Sequence, residues 1–599
     1  MMYGLLLSIL LVFPTVGCVS GTKLGPSKSD ADLKLEAAIT RYAETNKRID
    51  PYSAPYFNVL EDLDKFGDFL SPEMKLRRQK NVEAALKDIA TVDASKLSRP
   101  QALAFTLFKS DMEHELKGFD FPFEFFAFDQ MGNRFRQYID DSSPELTSFP
   151  FQTRQNYEAF IKRSEGFLPF VDRQILTLQD GAKKGYALNC VIAKSAIETY
   201  KDALEKDVAK NPFYRPVLNM PAAFSKQEQQ RLKSDFAMMI NTRILPGFEK
   251  FDKFYKNEYL PKCRKSFGLK GLPDAAKLYA YQIRSNTDLE MDPVTIHQTG
   301  LKEVARIRKE MQKAFNELGY SGSIKSNLKK ITSDPQSYFT SVKDMFAAYD
   351  ALRVDVNREV EKSFSLIPKT DFKMVESENP EDAAGSYRDP TEILPIGRFI
   401  VNAKNLKSTP RWGVNTLFIH EAIPGHHFHL ALQYEMKDTL SEYQRKMFYS
   451  NAFTEGWALY AERWGREAGL LKDPAQMVGS LSDEMLRAVR LVVDTGIHHY
   501  GWPREKVIKY MTENLPSDPR DIQIETDRYS VWPGQALGYK IGQLKVLELR
   551  DLSQKRLGAK FNLKDFHKVV LENGTVSLPV LESNVEAWLK MSAGKATMM

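Results

Sequence analysis

The stretch TLFIHEAIPGHHFHLALQYE, residues 416–435, decides how this chain is read. It is apolar and rich in helix formers, yet it carries Pro424-Gly425 at its centre. It also holds His420, His426, His427 and His429, four of the chain's nine histidines. Inside a helix, proline costs about 3 kcal/mol and glycine about 1 kcal/mol relative to alanine, and the Pro424 ring would press on the His420 carbonyl. A helix that only had to pack would carry neither residue. Either one helix ends at Ile423 and a second begins, or the backbone bulges outward and resumes.

His420-Glu421 followed by another histidine supplies the residue types of a zinc-hydrolase helix. There two histidines one turn apart reach one metal, and the glutamate beside them serves as general base. The spacing departs from that pattern. His420 and His426 are six residues apart, about 120° around an ideal helix. His427 shares the face of His420 but lies about 10 Å further along, too far for one zinc with bonds of about 2 Å. If two residues bulge out, His426 returns to the position one turn from His420. Proline forces such a break, and glycine permits the torsions that close it. A plain helix junction, with His420 capping or packing, is the competing reading.

A catalytic zinc takes a third protein ligand. NAFTEGWALYAERWG, residues 451–465, reads as a helix with Glu455 near its start among Phe453, Trp457, Leu459 and Tyr460. An acid amid so much apolar surface is costly unless something cationic pairs with it. Glu462 on the same helix is the alternative ligand. Further on, RAVRLVVDTGIHHYGW (487–502) places Arg490, Asp494 and His498 at four-residue steps, on one helical face. This reads equally as an ion-pair ladder or as part of a site. ETDRYSVWPGQALGYKIG (525–542) adds Tyr529 and Tyr539, either able to donate to an oxyanion.

The rest of the chain sets the frame. Its 599 residues are 43% hydrophobic and 27% charged, an ordinary globular composition. A net charge of +6 with both signs interspersed gives no nucleic-acid surface. Residues 30–270 read as helix after helix. The segment 292–318 has Asp292 as N-cap, Pro293 in the first turn, and Ile296, Leu301, Val304, Ile307 and Met311 at helical spacing. Near 380 the pattern breaks into loop and a short strand at Phe399–Val401. Helices resume near 413. Residues 271–595 form the second, catalytic part. No G-x-S-x-G string supports a serine hydrolase.

The N-terminus, MMYGLLLSILLVFPTVGC, has the short apolar core of a signal peptide over residues 1–18. TVGC resembles a bacterial lipobox, which implies lipidation of Cys18 and a membrane anchor. A plain secretory signal, with a periplasmic or secreted soluble product, is the alternative. Residues 19–29 read as a polar tether. Cys190 and Cys263 could form one bridge, but buried free thiols are the plainer expectation.

Taken together, HEAIPGHH, TEGWALYAE, RLVVDTGIHH and WPGQALGYKIG resemble the bacterial family catalogued as domain of unknown function 885, grouped with the zincin-like metallopeptidases. The core is also similar to helical gluzincins such as thimet oligopeptidase, angiotensin-converting enzyme and the carboxypeptidase Taq family, once two residues are treated as inserted. The resemblance implies zinc held by His420, His426 and Glu455, with Glu421 as base. It implies a mainly α fold: a large helical ellipsoid with a deep cleft, and a small antiparallel sheet beside the metal-binding helix. His498, Tyr529 or Tyr539 would stabilise the oxyanion. The strand from Arg398 to Asn402 would offer its edge to an extended peptide, and His427, Arg490 and Asp494 would support substrate or ligands. The expected function is an exported, lipid-anchored zinc peptidase acting on short peptides. A hydrolase of another amide or ester, or an inactive zincin-fold binding lipoprotein, are the rivals.

Overall fold

The computed structural model describes residues 28–594, apart from 58, 145–146, 148, 378–382, 392–393, 405 and 407–409. The signal peptide, Cys18 and most of the tether lie outside the described residues. Two compact units emerge, one running to Phe267 with Gly271–Pro273, the other comprising Gly268–Lys270 and everything from Asp274 onward. Among the described residues no helix is long and apolar enough to cross a membrane.

The first unit is helical and packs around aromatic rings. Phe135 lies 4.4 Å from Phe251, and Tyr138 lies 4.8 Å from Phe213. Pairs at such separations add to plain area burial. A helical run from Lys226 to Tyr259 passes through two wider turns at Ile240–Ile244 and Tyr255–Tyr259. Cys190 and Cys263 are joined in a disulfide, where the sequence suggested free thiols. Sequence separation carries no signal of pairing. The fold makes the pair by bringing Asn189 and Arg264 together in a β-bridge beside it.

The second unit is also mainly helical. Its helix Pro293–Glu317 starts as its residues dictate: the Asp292 side chain accepts from the Val294 amide, with Pro293 in the first turn. Ile296, Val304, Ile307 and Met311 are buried, but Leu301 is exposed. Gly300 takes the packed position instead: a Cβ there would meet Leu491 and Val492 at 2.8 Å. The helix therefore lies tight against Pro474–His498.

The sheet has three strands, β1 (Phe372–Glu376), β2 (Gly385–Arg388) and β3 (Gly397–Val401), in the order β1-β3-β2. Two expectations are corrected here. The sheet is mixed rather than antiparallel, because β3 runs parallel to β1 and antiparallel to β2. β3 is also its middle strand, so the backbone around Arg398 has no free edge: Arg398 stands opposite Lys373 on one side and Arg388 on the other. Asn402 is fully buried, and its amide donates to the Ala384 carbonyl. A short run such as FIV shows that a strand forms, not where it lies in a sheet.

Candidate metal centre

The decisive stretch forms two helices, Val414–Glu421 and His426–Glu435. Between them Ala422 leaves helical geometry and the Ile423–Pro424 peptide is cis. The Phe428 amide donates to the Ala422 carbonyl, a step of six residues where a helix takes four. The ladder thus resumes as though two residues had looped out. Gly425 is forced by space: a Cβ would lie 1.9 Å from the His420 carbonyl oxygen. The loop is pinned from the third element, where the Trp457 indole N–H donates to the Pro424 carbonyl at 2.8 Å.

His420, His426 and Glu455 are brought together, with one ligand atom from each lying within 4.8 Å of the others. Glu455 Oε2 is 3.6 Å from His420 Nε2 and 3.5 Å from His426 Nε2. These separations are too long for good hydrogen bonds. They suit a common metal, since tetrahedral bonds of about 2.0–2.1 Å set ligand atoms about 3.3–3.4 Å apart. Burial alone would raise the Glu455 carboxyl, but the two imidazoles hold it well below the usual carboxylate range. Burial opposes charge on His420, yet Glu455 and Glu462 outweigh it and push the imidazole up to about 10. Its two nitrogens and one oxygen fit the donor chemistry of zinc.

Glu462 is not a third ligand. It is buried, and its Oε1 lies 2.7 Å from His420 Nδ1, fixing that ring so that Nε2 faces the common point. Among the described residues His426 has no such partner, its Nδ1 being buried without a hydrogen bond. Glu421 ends the first helix, buried, and no hydrogen bond to its carboxylate is found among the described residues.

The other histidines turn away. His427 Nδ1 meets the Tyr387 hydroxyl at 2.9 Å and its ring packs on Phe372, with burial taking it down to about 4. His429 Nε2 meets Thr575 Oγ1 at 3.0 Å. His498, expected beside an oxyanion, is corrected: its Nδ1 accepts from the Leu269 amide, and its Nε2 donates to the Tyr529 carbonyl at 2.8 Å. Both ring nitrogens serve the backbone. Asp494 is likewise structural, accepting from the Tyr279 hydroxyl at 2.6 Å and from the Gly534 amide. The Tyr529 hydroxyl is committed to Glu525 and Arg490.

Tyr539 differs from Tyr529. Its hydroxyl has no hydrogen bond among the described residues, and burial together with the Glu455 charge raises its pKa. A glycine contact explains its position. A Cβ on Gly456, next to Glu455, would lie 2.5 Å from Gly542, and one on Gly542 would lie 1.8 Å from the Ala452 carbonyl oxygen. The helices Asn451–Glu467 and Leu537–Leu557 touch backbone to backbone there, which sets Tyr539, one turn before Gly542, near the glutamate.

Sequence reasoning missed three residues. Tyr449 is half exposed, yet desolvation at its hydroxyl and the Glu455 charge raise it, and nothing in the letters preceding Ser450 signals this. Asp483, with a side chain 40% exposed, is still pushed up to about 6 by the low-dielectric surroundings of its carboxyl, with Glu462 adding to it and Arg487 and His420 opposing. Asp483 and Arg487 were findable, since stepping back from Arg490 by three and then four residues stays on its face.

The family model for "Bacterial protein of unknown function (DUF885)" matches residues 51–585. The chain belongs to this family. The DUF885 match spans both units. Two solved structures are similar over nearly the whole chain. One, described as a "putative lipoprotein" from Colwellia psychrerythraea, is 27% identical with a TM-score of 0.79, covering 94% of this chain and 98% of that one. The other, a "putative lipoprotein of unknown function" from Shewanella oneidensis, shares the fold at 18% identity and a TM-score of 0.68, over 93% and 99%. No curated protein matches the sequence.

Proposed function

We propose that this DUF885 protein is a zincin-like zinc peptidase, and that His420, His426 and Glu455 hold the metal. The meeting of those three side chains at metal rather than hydrogen-bond separations carries the reading. Zinc bound there would supply Lewis-acid polarisation of a scissile carbonyl and of the attacking water. Glu421, with its carboxylate unengaged, takes the water's proton and passes it to the leaving amine. Tyr539 donates its free hydroxyl to the oxyanion that develops on the carbonyl. Glu462 keeps the His420 ring in orientation throughout.

The substrates are short or unfolded peptides. His420, Glu421 and His426 are each less than a tenth exposed, so the reacting groups lie beyond the reach of a folded protein surface. With β3 enclosed, strand addition falls to β2, which packs by the Val414–Glu421 helix. Export and a lipid anchor at Cys18 are supported by the signal-like N-terminus, by the descriptions of the two similar structures, and by a disulfide, which persists in oxidising compartments.

Metal analysis of the purified chain, followed by a peptide-library digest with and without chelator, tests this. About one zinc per chain and chelator-sensitive cleavage are expected. A metal-free protein that still cleaves, or a zinc-loaded one that cleaves no peptide, overturns the reading.

A further inference from the structure

The Pro474–His498 helix carries a stripe of charge past the proposed metal centre. Asp483 lies within the field of His420 and Glu462, Arg487 follows one turn later, and Arg490 three residues beyond that. The Arg490 guanidinium sits 4.7 Å over the Tyr539 ring. Arg490 is more than nine-tenths buried, and one end is fixed: Nε donates to the Tyr529 hydroxyl at 2.8 Å and Nη2 to Glu525 at 3.1 Å. Its Nη1 has no partner among the described residues. Arg487 is held only loosely, by the Asp483 carbonyl at 3.1 Å and the Asp483 carboxylate at 3.4 Å, and its Nε is buried without a partner. Arg528, the third guanidinium near Tyr539, is already satisfied by Glu525 and Gln535.

Two arginines with donors to spare, one of them pre-set by its neighbours, form a receptor for a carboxylate. We infer that Arg487 and Arg490 bind the C-terminal carboxylate of the peptide, which makes the enzyme an exopeptidase working from the C-terminus. This rests on the peptidase reading. Tyr539 is the proposed donor to the scissile carbonyl, and Arg490 lies against its ring. The bound carboxylate therefore falls within about 10 Å of the cut, the span of about three extended residues. The same receptor would accept an acidic side chain, so the test includes that source.

Three peptides decide the matter with the zinc-loaded full chain: Ala-Ala-Leu-Phe, its C-terminal amide, and Ala-Ala-Leu-Glu amide. Hydrolysis is read as kcat/KM, and binding by calorimetry in Glu421→Gln, which holds peptide without cutting it. The free acid should be preferred over its amide by about 10- to 100-fold, the loss typical of one charge-assisted hydrogen-bond pair. Arg487→Met and Arg490→Lys should each shrink that ratio toward one, chiefly through KM, with zinc content unchanged. Arg487→Met removes only a loosely held side chain and keeps the test sound if Arg490→Lys folds poorly. Equal treatment of acid and amide overturns the inference while leaving the peptidase reading intact. Preference for the glutamyl amide alone overturns the C-terminal assignment in favour of a side-chain pocket. Failure to bind or cut any of the three overturns both readings.

Discussion

Two clusters of buried charge lie in the second unit, and they are built differently. In the first, Lys540 is wholly buried, yet its ammonium meets Glu484 at 2.7 Å, Glu303 at 2.8 Å and the Gln543 amide oxygen at 2.7 Å. Arg306 and Arg466 complete the set around Glu484. Every charge there has an opposite at hydrogen-bond distance, and the cluster needs nothing from outside. In the second, Glu455 and the two imidazoles stand about half an ångström too far apart for that. Buried charge is tolerated only when compensated. The lysine cluster is compensated at hydrogen-bond distance from within the chain, whereas the histidine cluster leaves its groups at separations that, on the proposed reading, a metal ion would bridge.

Substitutions separate the two. The largest effect belongs to Glu421→Gln, which should keep zinc and lose about 10²- to 10⁴-fold in peptide hydrolysis, because a general base is removed but no ligand. Metal analysis beside the rate checks it, and a near wild-type rate would remove Glu421 from the mechanism. Lys540→Met should do the reverse. Glu484 keeps Arg306 and Arg466 and Glu303 keeps Arg306, so losing the buried ammonium should cost about 1–3 kcal/mol in denaturant unfolding, while zinc per folded chain stays the same. If zinc falls with it, the two clusters are one system.

Two further substitutions sharpen the contrast. Glu462→Gln should weaken zinc binding by about 10- to 100-fold, since it only orients His420; competition with a calibrated chelator reads this directly. Asp494 provides a third arrangement, an acid given hydrogen bonds but no contacting cation. Burial raises it from an ordinary value near 3.8 to about 7, against the bonds from Tyr279 and Gly534. A raised carboxyl favours folding fully below the lower value, loses that contribution as pH rises through the window, and has lost it above about 7. Asp494→Asn should therefore gain stability on the wild type between pH 4 and 7, by on the order of 4 kcal/mol at the upper end. Melting temperatures that run parallel across that range would show the acid is not titrating there.

The clustering of His420, His426 and Glu455 was legible from HEAIPGHH and TEGW, and Pro-Gly announces a break that packing alone would not require. Helices were legible from caps and spacing, as at Asp292. What failed was non-local. Nothing in Phe399–Val401 says that a later fold flanks it on both sides. Nothing in His498 says that Leu269, far off in sequence, will occupy its Nδ1. Cys190 and Cys263 are 73 residues apart, and only the fold pairs them. Tyr529 and Tyr539 look alike as letters, and what separates them is Glu525, which engages one hydroxyl and not the other.

The glycine contact between the helices of Glu455 and Tyr539 bears on how other sequences of this kind should be sorted. Gly456 and Gly542 bear no functional group, so a search built on histidines and glutamates would pass over them. Yet a methyl group at either would collide with opposing backbone, at 2.5 Å or less, and wedge the helices apart. Such a sequence would still spell out every residue of the donor cluster. It would do so with Tyr539 displaced from the neighbourhood of Glu455. On the proposed reading, two residues without side chains thus belong beside the histidines and glutamates in the signature of a peptidase of this kind.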